Sequence, residues 1–344
     1  MGVKIFELVP AKEIELGSLA GKTLAVDSSL FLYQFLTTIR QRDGSLLMDS
    51  KGRVTSHLTG LFNRAVKLME KQINLAFVFD GKPPDLKKHE RERRAVAKKE
   101  AEMKYKIAVE KKDVDEMKKY ASRTTRLTPE MVNEAKQLIE ALGVPVVQAP
   151  SEGEAQAAQL VKSGNAFAVA SQDADSLMFG ATRLVRNLAI TGRRKKAGKL
   201  GFETVKPEVI ELQQVLNSLG LDNDQLIALG MLIGTDYNIG GVKGIGPKNG
   251  LKLVKKHKKD FGALFKEVEW EKHFDFPWTD VFYTIKNMPV EKKYSLEQKK
   301  PDKERVIKIL VEEHDFSIER VNSALERLSK AKEKKKQKGL AEWI

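Results

Sequence analysis

Seven carboxylates stand out by where they fall along the chain. Asp27 and Asp80 each end a short apolar run, at residues 22–27 (KTLAVD) and 75–80 (LAFVFD). Glu152 and Glu154 follow a third run at 144–148 (VPVVQ), and Asp173 and Asp175 follow a fourth at 166–171 (AFAVAS). Asp236 comes just after the apolar segment 223–234. Carboxylates gathered in one place repel one another, so cations must offset them. None of the histidines lies close in sequence to these acids, and the chain has no Cys. An oxygen-only donor set suits Mg²⁺ or Mn²⁺ rather than zinc. Two such ions about 3.5–4 Å apart can clamp the attacking and leaving oxygens of a phosphodiester. Each acid also has a plainer reading. Ser151 and Glu154 fit an S-x-x-E capping box, and Asp80 and Asp173 suit turns. Four strand ends that all carry acids are harder to explain in that way.

The four runs have the length and composition of buried parallel strands. Helical periodicity lies between them, at 56–70 and at 129–142. The second of these helices has Thr128 as N-cap, Pro129 at its first position and Gly143 at its end. This alternation predicts an α/β sheet flanked by helices. The C-terminal ends of parallel strands share one edge, where such folds bind ligands, so six of the acids would converge there. Asp236 is a seventh candidate.

Segment 85–119 breaks the alternation directly after Asp80. Lys, Arg and Glu dominate it, and its few apolar residues cannot anchor a long helix firmly in a core. A solvated helix face is the plain reading of such a charge run, but its position puts it over the acidic edge. Lys87 and Arg94 are close to two helical turns apart. They therefore share a face from which they can stabilise charge on a phosphate. Tyr33, six residues after Asp27, suits either stacking on a base or filling the core.

The chain has 344 residues, enough for one large domain or two modest ones. Lys and Arg total 61 against 47 Asp and Glu, a net charge of +14. That excess suits a polyanion, through phosphate contacts and counterion release, or an acidic membrane surface. A glycine-rich stretch at 241–246 (GVKGIG) precedes Pro247, Lys248 and a short helix. It fits a helix–hairpin–helix phosphate clamp, in which Gly244 and Gly246 let the backbone approach DNA and Lys243 and Lys248 supply charge. Such contacts read shape rather than sequence. The lack of Cys excludes disulfides, thiolate catalysis and Cys-ligated zinc. There is no signal-peptide pattern, and the longest apolar stretch, 226–234, is too short for a bilayer. The expectation is a soluble, cytoplasmic protein with no membrane partner.

The acids sit within longer motifs: residues 25–29 (AVDSS), 78–84 (VFDGKPP), 148–156 (QAPSEGEAQ), 171–176 (SQDADS), 234–237 (GTDY) and 244–248 (GIGPK). In order and along essentially the whole chain, these resemble the flap endonucleases of the XPG/Rad2-type structure-specific 5′ nuclease family, in an archaeal form. The resemblance implies a PIN-like α/β fold with a mostly parallel central sheet flanked by helices. It implies one nuclease domain over about 1–328, with an N-terminal part at about 1–100 and an internal part at about 140–260. A helical arch at about 85–128 would be threaded by the free 5′ end, and a helix–hairpin–helix would span about 236–257. A basic tail would follow at 329–344.

By the same resemblance, Asp27, Asp80, Glu152, Glu154, Asp173, Asp175 and Asp236 hold two Mg²⁺ ions, with Mn²⁺ able to substitute. Lys87 and Arg94 contact the scissile phosphate, and Tyr33 stacks near the reacting nucleotide. Gly2 lies near the site. The hairpin binds duplex DNA, with a K⁺ ion in some members. Its loop at 238–243 is one residue longer than in eukaryotic relatives. Thr55 and Phe316 match parts of a pocket for a one-nucleotide 3′ flap, but His314 stands where a Lys is familiar. The last residues, 337–344 (QKGLAEWI), resemble the box that docks a sliding clamp (PCNA). A short 3₁₀ turn would place Leu340, Trp343 and Ile344 on one apolar face beside Gln337. The implied activity is cleavage of 5′ flaps in branched DNA, with 5′–3′ exonuclease action, in Okazaki-fragment maturation and base-excision repair. The implied state is a monomer in an archaeal cytoplasm. Two alternatives stay open: a related nuclease preferring bubbles or four-way junctions, and a non-catalytic, clamp-tethered DNA-binding scaffold.

Overall fold

The computed structural model describes residues 3, 5–41, 43–111, 113–190, 192–195 and 202–341. The four apolar runs each form a strand of one sheet. In chain order the strands are β1 (Lys12–Glu13), β2 (Thr23–Asp27), β3 (Asn74–Phe79), β4 (Val146–Gln148), β5 (Ala168–Ala170), β6 (Arg183–Arg186), β7 (Gly192–Lys195), β8 (Phe202–Val205) and β9 (Glu208–Glu211). The sheet order is β1-β9-β6-β5-β2-β3-β4, and β7 and β8 form a separate two-stranded hairpin. Strands β6, β5, β2, β3 and β4 run parallel. β9 pairs antiparallel with β6, and β1 with β9. The central sheet is thus mostly parallel, as expected, and carries an antiparallel edge that the apolar runs do not announce.

The helices are α1 (Ser28–Thr38), α2 (Ser56–Glu70), α3 (Lys88–Glu110), α4 (Val114–Ala121), α5 (Pro129–Ala141), α6 (Gly153–Lys162), α7 (Asp175–Met178), α8 (Leu212–Leu219), α9 (Asn223–Ile233), α10 (Pro247–His257), α11 (Phe261–Glu267), α12 (Trp278–Lys286), α13 (Lys303–Ile307) and α14 (Ile318–Ala341). The period-two alternation of β2 and β3 divides their side chains between two cores. Leu24, Val26, Leu75, Phe77 and Phe79 face α1, α2, α5 and α14. Ala25 and Val78 face the opposite way, toward α6, α9 and α12. Each large side chain buried there contributes about 1.5–3 kcal/mol. The close crossing of α1 and α2 requires a glycine. A Cβ at Gly60 would stand 2.2 Å from Cγ of Phe35. Helix α5 begins as the sequence predicts, with the Thr128 side chain accepting from the Met131 amide and Pro129 at the first turn.

The charged segment forms a 3₁₀ turn at Asp85–Lys87, then α3 and α4, which pack on each other. α3 buries Glu90, Ala101 and Ala108 but leaves Val96 and Met103 more than half exposed. It behaves as an arm over the sheet edge rather than as a core helix. One local expectation is corrected. The 151–154 capping box does not form: Glu152 occupies the N-cap of α6 without a capping side-chain bond. The Ser151 hydroxyl instead donates to the Lys82 carbonyl, which ties the strand ends together. At the other terminus, the backbone through Gln337 and Leu340 to Ala341 continues α14, and the expected 3₁₀ turn runs on beyond the described residues. Trp343 and Ile344 lie outside the described residues, as does Gly2. Among the described residues no helix is long and apolar enough to cross a membrane.

Candidate active site

The parallel register brings the acid-bearing strand ends side by side: Asp27 of β2 lies opposite Val78 of β3, and Val26 opposite Ala170 of β5. Asp27 also starts α1. One of its oxygens accepts from the Leu30 amide at 3.1 Å and the other from the Ser171 hydroxyl at 3.1 Å. Asp80 follows β3 and accepts from the Gly153 amide at 2.7 Å and from the Ser29 hydroxyl. A Cβ on residue 153 would stand 2.8 Å from that Asp80 oxygen, so only glycine permits the contact. Asp175 opens α7 and accepts from the Val3 amide at 2.7 Å. The N-terminal segment is thereby tied to the acids, a link that sequence spacing could not reveal.

Asp27, Asp80, Glu152, Glu154, Asp173 and Asp236 line one cavity of about 960 Å³, together with Tyr33, Lys87 and Arg94. Asp175 is buried beside it, and its charge acts on Glu154. All ten residues expected at the centre therefore share one place. The acids respond to their crowding. Burial, reinforced by the charge of Asp80, pushes Asp27 up to about 7. Burial likewise pushes Asp175 up to about 7, with Asp173 adding to the shift and the Val3 amide opposing it. Burial and the charges of Asp175, Asp27 and Asp173 hold Glu154 well above the usual carboxylate range. Its Oε1 is enclosed and has no hydrogen-bond partner.

Two cations from the arch offset part of this charge. Lys87 Nζ sits 2.5 Å from Glu152 Oε2 and 3.5 Å from Asp236 Oδ2. Burial alone would lower the Lys87 ammonium, but Glu152 and Asp236 outweigh it and hold it above the ordinary lysine range. Arg94 Nη2 reaches Asp236 at 3.0 Å, while its Nε donates to Glu90. The ring of Tyr237, buried next to Asp236, lies 5.4 Å from Lys87 Nζ. Burial and the surrounding carboxylates push its phenol far up, so it stays neutral.

Among the described residues, no three His, Cys, Asp or Glu side chains already close on one point as a finished metal cage. The acids ring a cavity instead, and Glu152 and Asp236 face the arch cations. A roomy cavity lined by carboxylates is compatible with Mg²⁺, which keeps several of its waters and takes few direct carboxylates. The all-oxygen donor set and the partnerless Glu154 oxygen fit the same ion.

Tyr33 is 36 % exposed at the cavity rim, and its hydroxyl accepts from Lys98 Nζ at 2.7 Å. Its exposure sets aside the core-filling reading. Lys98, Glu90, Ser29 and Tyr237 were not singled out from sequence. Glu90 was legible in principle, because it stands four residues before Arg94 on one helix face.

The helix–hairpin–helix is α9, the turn at 235–246 and α10. Gly241 has a φ of 63°, and a Cβ there would stand 2.3 Å from the Ile233 carbonyl carbon. Asn238 closes the turn, bonding Thr235 and donating to the Met231 carbonyl. Lys243, Gly244, Gly246 and Lys248 are all exposed where α10 begins. Thr55 is buried and Phe316 half-buried. His314 turns inward, with Nδ1 3.3 Å from Asp49 and Nε2 3.7 Å from Glu134, whose other oxygen meets His57 at 3.1 Å. It is buried among these carboxylates rather than turned to the surface.

Comparison with known proteins agrees with this geometry. Residues 1–101 match the XPG N-terminal domain and residues 143–236 the XPG I-region. The chain is 52 % identical to flap endonuclease 1 of Thermococcus onnurineus over 100 % of its own length and 99 % of that protein's. It is 51 % identical to flap endonuclease 1 of Pyrococcus furiosus, covering 100 % of this chain and 99 % of that one. The solved flap endonuclease-1 from Methanococcus jannaschii superposes with a TM-score of 0.76 at 42 % identity, covering 97 % of this chain and 100 % of that one. The catalytic core of Rad2 in complex with a DNA substrate superposes with a TM-score of 0.69 at 25 % identity, covering 95 % and 100 %. The chain belongs to the flap endonucleases of the XPG family.

Proposed function

We propose that this protein is a structure-specific DNA nuclease that hydrolyses 5′ flaps near the junction of single- and double-stranded DNA, with 5′–3′ exonuclease action on related ends. The observation that carries this reading is the cavity in which six acids and two arch cations face each other. Asp27, Asp80, Glu152, Glu154, Asp173, Asp175 and Asp236 would hold Mg²⁺, two ions in this reading. Bound there, the metal supplies charge stabilisation and activates water for attack on phosphorus.

The protein's own groups do the rest. Lys87 and Arg94 stand on the cavity's arch side, where an entering phosphate would replace carboxylates as their partner and receive charge-assisted hydrogen bonds. Tyr33 at the rim offers a stacking face beside the reacting nucleotide. The exposed amides and lysines at the start of α10 grip the duplex through its phosphates, without reading sequence. In this reading, a K⁺ ion would support the same turn. Thr55 and Phe316 would receive a one-nucleotide 3′ flap, with no direct help from the inward-facing His314. Gln337, Leu340, Trp343 and Ile344 would dock a sliding clamp, keeping a monomeric enzyme at replication and repair sites in the cytoplasm.

Labelled flap, bubble and four-way substrates tested side by side check this reading. Preferred, Mg²⁺-dependent cutting of the flap at its junction is the expected result. Preference for the four-way or bubble substrate would replace it with another specificity of the family. Removing residues 337–344 should leave cutting intact and abolish stimulation by the clamp.

A further inference from the structure

Glu90 is the one charged side chain that α3 buries, at 3 % exposed; the other buried residues of this helix are Ala101 and Ala108. Burying a carboxylate costs free energy unless charge and hydrogen bonds offset it. Here two guanidiniums do so. Arg93 donates to Glu90 from Nε at 2.8 Å and from Nη2 at 2.9 Å, and Arg94 donates from Nε. They hold the Glu90 carboxyl below the usual glutamate range although burial alone would raise it.

Arg94 is therefore anchored twice. Its Nη2 meets Asp236, one of the seven acids, and its Nε meets Glu90, which also lines the cavity wall but is not one of the seven. If Asp236 turns toward a cation, Glu90 is the anchor that remains. The fork of a guanidinium is planar, so a fixed Nε leaves the Nη groups aimed into the cavity. We infer that Glu90 is a positioning residue, which holds the Arg94 guanidinium toward the reacting phosphate. The inference rests on the role proposed above for Arg94. The competing explanation is that Glu90, in the first turn of α3, only steadies the helix through its dipole.

Single-turnover cleavage of a labelled 5′ flap in Mg²⁺, with enzyme in excess, separates these. The variants are Glu90→Gln, Arg94→Ala, the double variant, and Glu90→Gln in an Arg93→Ala background. Flap affinity is measured in EDTA by fluorescence anisotropy. A charge-assisted hydrogen bond lost only in the transition state corresponds to about a ten- to hundredfold loss of rate. Glu90→Gln should therefore slow cleavage by about that factor with little change in affinity. The double variant should be no slower than Arg94→Ala alone, and the loss should persist without Arg93. Glu90→Asp, which keeps the charge, should recover part of the rate.

A slow Arg94→Ala with parent-like Glu90→Gln would overturn the inference while leaving the role of Arg94 intact. So would a double variant whose loss is the product of the single losses, since Glu90 would then act independently of Arg94. Parent-like cleavage by Arg94→Ala would overturn both this inference and the role on which it rests.

Discussion

Replacing Asp175 with asparagine should stabilise the metal-free protein, even though it removes an acid of the active site. In the fold the Asp175 carboxyl is raised from 3.8 to about 7, chiefly by burial. In the unfolded chain it ionises near its ordinary value. Between those two pH values the folded state holds a proton that the unfolded state has released, so stability falls as pH rises. The contribution is fully present below about 4 and is lost as pH passes through about 7. A rise of about three pH units corresponds to about 4 kcal/mol at most. Asparagine imitates the protonated carboxyl, and its Oδ1 can still accept from the Val3 amide that now meets Asp175 at 2.7 Å. The gain at pH 8 in EDTA should be about 1–4 kcal/mol, or several degrees in melting temperature, shrinking toward zero near pH 4.5. Thermal melts of parent and Asp175→Asn at the two pH values, with EDTA or with Mg²⁺, check this. Mg²⁺ should stabilise the parent at pH 8 and stabilise the variant less. A variant that melts at or below the parent at pH 8 in EDTA would refute the reasoning. So would a difference that is the same at both pH values.

Other perturbations test separate parts of the account. Lys87→Met removes the cation between Glu152 and Asp236 and should slow single-turnover flap cleavage by about a hundredfold or more, with flap affinity in EDTA changed far less; an equal loss in both would assign Lys87 to binding instead. Gly241→Ala puts a Cβ against the Ile233 backbone and should distort the hairpin, weakening duplex binding severalfold in anisotropy titrations; unchanged affinity would detach the hairpin from DNA. Glu134→Ala leaves buried His57 and His314 short of a partner and should cost about 1–3 kcal/mol in denaturant unfolding, with little effect on cleavage rate. A fall in rate without a fall in stability would place that cluster in the active site.

The parallel part of the sheet was legible because β2, β3, β4 and β5 lie in apolar runs that end in acids or run into turns. β6 and the antiparallel edge beyond it were not. β6 (RLVR) and β9 (EVIE) begin and end in charged residues, with two apolar residues between them, and β1 has two residues. Such segments become strands because neighbours offer them a hydrogen-bonding edge, β5 and β9 to β6 and β6 and β1 to β9. The seven acids were legible as types at strand ends, and the family motifs then placed Glu154 and Asp236, where strand-end reasoning is weakest. What sequence could not supply is partnership across the fold. The Ser29–Asp80 and Val3–Asp175 bonds depend on tertiary geometry, as do the contacts of the arch cations with Glu152 and Asp236. For Glu90 the four-residue spacing to Arg94 suggests a pair, but one Glu among many charges in 88–110 looks solvated until its burial is seen.

Single-turnover cleavage of a labelled 5′ flap, measured across a Mg²⁺ titration for the parent and for Asp175→Asn, shows whether the clustered acids hold a catalytic metal. No product is expected in EDTA, and cutting of the parent at the junction should rise with Mg²⁺; Asp175→Asn, which folds and binds the flap, should lose it. Undiminished cutting by Asp175→Asn, or product formed by the parent in EDTA, would contradict that metal assignment.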